Sequence, residues 1–439
     1  MRALLLTLLA AATPLAAQTP PPPPIPATPS QPRPKPPELR APVADTGIFG
    51  PLALPDASDL RRASGTPGPK YWQQRVDYDI RVSLDTTARR LSGSLTIRYT
   101  NNSPDSLTHV WMQLDQNLFK PGSVGSYLHS EDSRFGAEGF QGGFEISSFT
   151  QAMEPGPRPG RVRLGQVGLK PAPVKSRVDD TMMDVGLPYP LPPGATTVFQ
   201  IAYGFSIPEH GADRMGRDGA LYQLAQWYPR LCVYDDVHGW NTLQYLGQGE
   251  FYLEYGNINY EITLPAGYLV AGTGTLSNPL EVLTASQRAR LAAAVTSDSI
   301  THIVTQEELA SGAARPKPAT GMLTWKFRAE SVRDAAWAAS PEYLWDASGW
   351  QGILAQAYYR PSAVATWKDA ADMSRYSIQE YSTRWLRYPY PQISAVEGPV
   401  AGMEYPMVAM EANDDTKEGL YAVVTHEIGH MWYPMVVGS

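Results

Sequence analysis

The run Arg75-Val76-Asp77-Tyr78-Asp79-Ile80-Arg81-Val82-Ser83-Leu84 alternates polar and large apolar residues without a break. A period of two sends alternate side chains to opposite faces of a strand, so this segment predicts a half-buried strand with Val76, Tyr78, Ile80, Val82 and Leu84 on the core side. Working outward, the same pattern recurs in Leu95, Ile97 and Tyr99 and in Val110, Met112 and Leu114. It returns in Phe199, Ile201 and Tyr203, and in Ile258, Tyr260, Ile262 and Leu264 before the turn Pro265-Ala266-Gly267. Many short strands broken by Gly, Pro and Asn predict an antiparallel β-sandwich or saddle-shaped sheet. Asn101-Asn102-Ser103 fits a glycosylation sequon and a plain turn alike, and carries no functional weight.

Upstream of this region the character of the chain changes twice. Met1-Arg2, an apolar run over residues 3–12 and then Thr13-Pro14-Leu15-Ala16-Ala17 have the layout of a secretory signal peptide, assigned to residues 1–17. A retained anchor is the alternative. No later segment offers about 18 uninterrupted apolar residues, so cleavage would leave no transmembrane span. The expectation is an exported protein, secreted or periplasmic. Prolines then crowd residues 18–69, beginning with an unbroken run at 20–24. Fixed φ angles, missing amide donors and few large apolar residues predict a disordered, extended tether. The lone Cys232 excludes an internal disulfide and reads as a small buried apolar residue. A net charge of −7 with no basic cluster argues against nucleic acid as a partner.

Helical signals follow the strands. Thr284 with Gln287 three residues on forms a capping-box pattern ahead of the alanine-rich residues 289–295, and predicts a helical insertion over about 284–310. Residues 310–321 read as a loop and 323–327 as the last strand of a first domain, residues 70–328. Ser331 and Asp334 ahead of residues 335–339 predict a helix start, and residues 363–386 a longer helix ending before Tyr388-Pro389.

The chemistry lies in His426-Glu427-Ile428-Gly429-His430. Asp415 and Glu418 offer a capping box, and Leu420, Val424, Ile428 and Met431 an apolar stripe at steps of three and four, so the motif is predicted to be helical. Histidines at i and i+4 project from one face about a turn apart, which lets both imidazoles bind one Zn²⁺. Glu427, beside them, is placed to take a proton from water. The remaining histidines show no ligand spacing. Metzincins carry Gly and a third His at the third and sixth positions after the motif; here these are Tyr433 and Val436. A third ligand must come from elsewhere.

The residues around the motif carry a resemblance. His430-Met431-Trp432-Tyr433 resembles the His-Gln-Trp-Phe stretch of the aminopeptidase N and leukotriene hydrolase family of zinc metallopeptidases. The resemblance implies a Glu as third ligand about nineteen positions beyond the second histidine. The sequence stops at Ser439, nine residues past His430. The expectation is therefore a chain cut off at its carboxyl end, inactive as it stands, whose apolar helix stripe awaits cover. Gly402-Met403-Glu404-Tyr405-Pro406 resembles the family's Gly-x-Met-Glu-Asn loop. This implies that Glu404 binds the free ammonium of a peptide substrate while Gly402 and Met403 pair with its backbone. Tyr405 departs from the usual Asn. Ala225-Gln226-Trp227-Tyr228-Pro229-Arg230 and Phe251-Tyr252-Leu253-Glu254-Tyr255 resemble the family's Gln-x-Glu and Phe-Pro-x-x-Asp-Glu-Pro segments. Tyr228 stands where relatives have the glutamate, so Gln226 alone is carried over as a substrate-binding candidate. The resemblance implies an α+β multidomain fold: a saddle-like β-sandwich domain, then the beginning of a thermolysin-like α/β catalytic domain over residues 329–439. The implied activity is zinc-dependent release of amino-terminal residues from peptides, with His426 and His430 as metal ligands and Glu427 as general base. A non-catalytic scaffold and a metallohydrolase acting on a non-peptide such as an epoxide remain as alternatives.

Overall fold

A computed structural model describes residues 56–129, 140–154, 169–209, 213–316, 321–413 and 416–438. The signal peptide and nearly all of the tether lie outside the described residues, as do His210 and Asp415. The chain divides between Asp56 and Ala57, and every strand and helix among the described residues belongs to the second part.

The opening alternation forms strand Arg75–Asp85, with Val76, Tyr78, Ile80, Val82 and Leu84 all at most 5% exposed. It turns back into Arg90–Thr100 in unbroken register from Asp85↔Arg90 to Arg75↔Thr100. The turn is held by Asp85, whose carboxylate accepts from the amides of Thr87 and Ala88 at 2.9 and 2.8 Å. The other face of the strand stays in water because its residues are Asp, Arg and Ser. A parallel partner, Gly256–Pro265, joins from 180 residues away in sequence. The resulting eight-stranded sheet runs in the order Thr275–Leu276, Met322–Val332, Gly256–Pro265, Arg75–Asp85, Arg90–Thr100, Thr196–Ser206, Glu145–Met153 and Leu169–Pro173. Two four-stranded sheets share its core, Leu269–Gly272, Trp337–Ser340, Leu221–Leu224 and Met215–Asp218 in one, Arg230–Leu231, Leu107–Gln113, Met182–Leu191 and Lys175–Asp179 in the other. The fold is mixed, with more sheet than helix.

Several local expectations meet the structure directly. Thr284 caps helix Ala285–Ala294 with both halves of the capping box formed. Residues 363–386 give a short helix Val364–Trp367 and the longer Ala370–Arg384. Cys232 is fully buried. The Asn101 amide is buried and bonds Asp105 O at 2.7 Å, closing a turn. Residues 335–339 depart from the prediction. Trp337–Ser340 is a strand, because it is flanked on one side by Leu221–Leu224 and on the other by Leu269–Gly272. Two ladders of backbone hydrogen bonds override the helix propensity of alanine. Residues 328 and 329, at the expected domain boundary, lie within the single strand Met322–Val332.

The site is carried by a six-stranded sheet, ordered Thr301–Val304, Leu344–Trp350, Ile353–Tyr359, Gln392–Glu397, Val408–Glu411 and Met403–Tyr405. Ile353–Tyr359, Gln392–Glu397 and Val408–Glu411 are parallel, and Met403–Tyr405 is antiparallel at the end of the order. Helix Ala370–Arg384 bridges two parallel strands as a crossover, and helix Lys417–Gly429 packs on it and on the last two strands. Leu420, Val424, Ile428 and Met431 are at most 1% exposed. The expectation that this stripe lies open is therefore corrected: residues of this chain already cover it.

Candidate metal centre

Helix Lys417–Gly429 starts under Thr416, whose hydroxyl accepts from the amide of Gly419 at 3.0 Å. Side-chain anchors fix how the helix is turned. The Tyr381 hydroxyl donates to the carbonyl of Thr425 at 3.1 Å, and Trp432 Nε1 donates to Leu386 O at 2.8 Å. With the apolar stripe inward, His426 and His430 project from the partly open side, and their Nε2 atoms lie 3.2 Å apart. His430 Nδ1 lies 2.9 Å from the carbonyl oxygen of Tyr433. A carbonyl can only accept, so Nδ1 carries a proton, and Nε2 is the ring nitrogen left to face a metal.

A zinc ion fits this pair. Two nitrogens at about 2.0–2.1 Å from a tetrahedral ion sit roughly 3.3 Å from each other, which matches the separation of the two Nε2 atoms. Bound zinc would supply Lewis acidity and acidify a water molecule. The ligand-type atoms of Glu404, Glu427 and His430 lie within 4.8 Å of one another, so two carboxylates border the pair.

Glu427 is 4% exposed. A Cβ built on Gly402 would stand 3.5 Å from Glu427 Oε1, so this carboxylate faces the bend that leads into strand Met403–Tyr405. Gly402 has φ +59°, a conformation that favours glycine and lets the bend approach the helix. Glu404 Oε1 lies 3.9 Å from His430 Nδ1, and the side chain is 14% exposed. Burial raises the Glu404 carboxyl above its usual range, and the interaction with neighbouring His430 opposes this.

The structure brings together His426, Glu427, His430, Gly402, Met403 and Glu404 around a cleft of about 400 Å³. Gln226 is not among the described residues that line it: it is 1% exposed, and its carbonyl accepts from Gln116 at 3.1 Å. Its neighbour Tyr228 is committed to the interior, donating to Asp334 at 2.8 Å. The substrate-binding expectation for Gln226 is corrected accordingly. A resemblance of short segments does not fix which way a backbone turns, and Gln226 has φ +52°.

Three residues of this region escaped the sequence reading. Arg214 and Glu250 line the cleft as a buried pair at 2.6 Å, and Arg214 also meets Asp213 at 3.1 Å. Burial pushes Asp213 up to about 7, while Arg214 and a hydrogen bond from Tyr245 oppose the rise. Glu411, 1% exposed, lies within electrostatic reach of Glu427. Burial first and the charge of Glu427 second push it well above the usual carboxylate range, against an opposing backbone contact from Gly402. None of the three sits in a motif with ligand spacing: Arg214 and Glu250 come from turns and Glu411 from strand Val408–Glu411.

No family model and no curated protein matches this chain. Among solved structures, the M1 zinc metallopeptidase from Deinococcus radiodurans is similar over 83% of this chain and 66% of its own, at 13% identity and a TM-score of 0.47. A mutant of that enzyme bound to a Tyr-Ser-Ala substrate is similar over 85% of this chain and 67% of its own, at 12% identity and a TM-score of 0.45. The chain thus spans about two thirds of these neighbours' length. So remote a likeness leaves the activity to be argued from the side chains.

Proposed function

We propose that this protein is a zinc-dependent aminopeptidase, exported by its amino-terminal signal, that releases residues from peptides with a free amino terminus. The observation that carries the reading is the convergence of two imidazole Nε2 atoms at 3.2 Å, one with its tautomer set by the Tyr433 carbonyl, beside a buried glutamate. His426 and His430 would hold the ion, and the family resemblance implies a glutamate as the third protein ligand. Each side chain then has a distinct task. Glu427, facing the cleft from the helix, accepts a proton from attacking water and returns it to the leaving amine. Glu404, at the end of the sheet, receives the substrate ammonium, and strand Met403–Tyr405 offers its backbone to the extended peptide as an added strand. Fixing the ammonium so near the histidine pair leaves room for one residue before the scissile bond, which makes the enzyme an exopeptidase.

The test is hydrolysis of aminoacyl p-nitroanilides by the protein in its full natural length. Activity should disappear in excess chelator and return with zinc. Full turnover in chelator would refute the reading.

A further inference from the structure

A second cavity, of about 360 Å³, lies away from the cleft and shares no lining residue with it. It is bounded by strand Met322–Val332, helices Pro279–Val282 and Ala285–Ala294, and the six-stranded sheet. At roughly 30 Å³ per water this is space for about a dozen non-hydrogen atoms. That volume falls within the range of small-molecule sites. The walls are largely apolar, with Leu291, Trp325, Phe327 and Trp345 among them.

Two polar features decide what could sit there. The floor is already satisfied: Gln392 Nε2 donates to the carbonyls of Gly272 and Gly274 at 3.1 Å each, and Gln356 Nε2 donates to Gln392 Oε1 at 3.0 Å. It asks no hydrogen bond of a ligand. Arg288 is the one charged side chain among the described lining residues. It is half-buried, its Nη1 donates to Leu283 O at 2.5 Å, and it has no carboxylate partner among the described residues. On the same helix Arg290 is paired with Glu308 at 2.7 Å. An apolar chamber with one unneutralised guanidinium on its wall complements an apolar body bearing an anionic head.

We propose that this cavity binds a small amphiphilic carboxylate, its chain among the aromatic walls and its head on Arg288. The proposal stands apart from the peptidase reading, since neither site uses a residue of the other.

Octanoate is a suitable probe, because its ten non-hydrogen atoms fall within the roughly twelve the space holds. Titrated into the full chain and followed by calorimetry and by tryptophan fluorescence, it should saturate at one molecule per chain. Arg288→Gln should weaken octanoate about tenfold and leave n-octanol unchanged, because only the acid uses the guanidinium. Leu291→Trp, which fills the chamber, should abolish both. Absence of saturable octanoate binding overturns the proposal, and so does equal octanoate affinity in Arg288→Gln. Thermal unfolding shows whether Leu291→Trp is folded; if it is not, Arg288→Gln at a half-exposed position decides between the two outcomes by itself.

Discussion

Replacing Glu404 by Gln keeps the shape of the side chain and removes its charge, which isolates the part of recognition that depends on the substrate's ammonium. The carboxylate is 14% exposed and stands among His430, Glu427 and the Arg214–Glu250 pair, so a substrate amine meets it largely out of water. A charge-assisted hydrogen bond in such a place is worth roughly 1.5–3 kcal/mol, which is about ten- to a hundredfold in rate. An N-acetylated substrate has neither the charge nor the fit. Wild type should therefore cleave a free-amine p-nitroanilide and spare its acetylated counterpart, and Glu404→Gln should narrow that gap by the same ten- to a hundredfold. The loss should fall on kcat/KM, because the same contact places the scissile carbonyl. Zinc content should stay unchanged, which separates amine recognition from damage to the metal site. Equal discrimination by wild type and Glu404→Gln would show that Glu404 is only a carboxylate at the end of a sheet.

Glu427→Gln should retain zinc yet lose about 10²–10⁴ in kcat, since it keeps the helix and removes the base; an unchanged kcat sinks that role. Asp334→Ala should cost about 3–5 kcal/mol in urea unfolding, because Arg230, 1% exposed and held by Asp115 at 2.8 Å and Asp334 at 2.5 Å, would lose half its compensation; a loss under about 1 kcal/mol would contradict this. Glu254 is pushed by burial up to about 8 from an ordinary 4.5, with Asp235 adding and Tyr234 and Arg333 opposing. Its contribution to stability is thus fully present below about pH 4.5 and lost as pH rises through about 8, by at most roughly 5 kcal/mol. Unfolding midpoints of wild type should fall between pH 5 and 9 more steeply than those of Glu254→Gln, and parallel curves would remove the assignment.

Much of this molecule was legible because the responsible interactions are local. The alternation from Val76 to Leu84 became a strand with those residues inside, since a period of two leaves no other face for them. Thr284 and Gln287 formed their reciprocal cap within one turn of chain. His426 and His430 converge because four residues of helix separate them, and the helix repeat is fixed by backbone geometry. The sequence alone therefore determined the strand-rich character, the histidine pair and the glutamate beside it.

Tertiary structure decided the rest, through contacts that no local pattern encodes. Alanine-rich residues 335–339 gave way to a strand because partners more than a hundred residues upstream and about seventy upstream offered hydrogen bonds on both sides. Gln226 resembled a binding residue in a short segment, but its backbone turn keeps it in the interior. Arg214 and Glu250 line the cleft, and Glu411 interacts with Glu427, only because segments far apart in the chain are brought together by the fold. The spacing of residues along a helix or strand is fixed by covalent geometry and can be read from order alone, whereas the neighbours across a cleft are chosen by long-range pairing, which only the folded chain reveals.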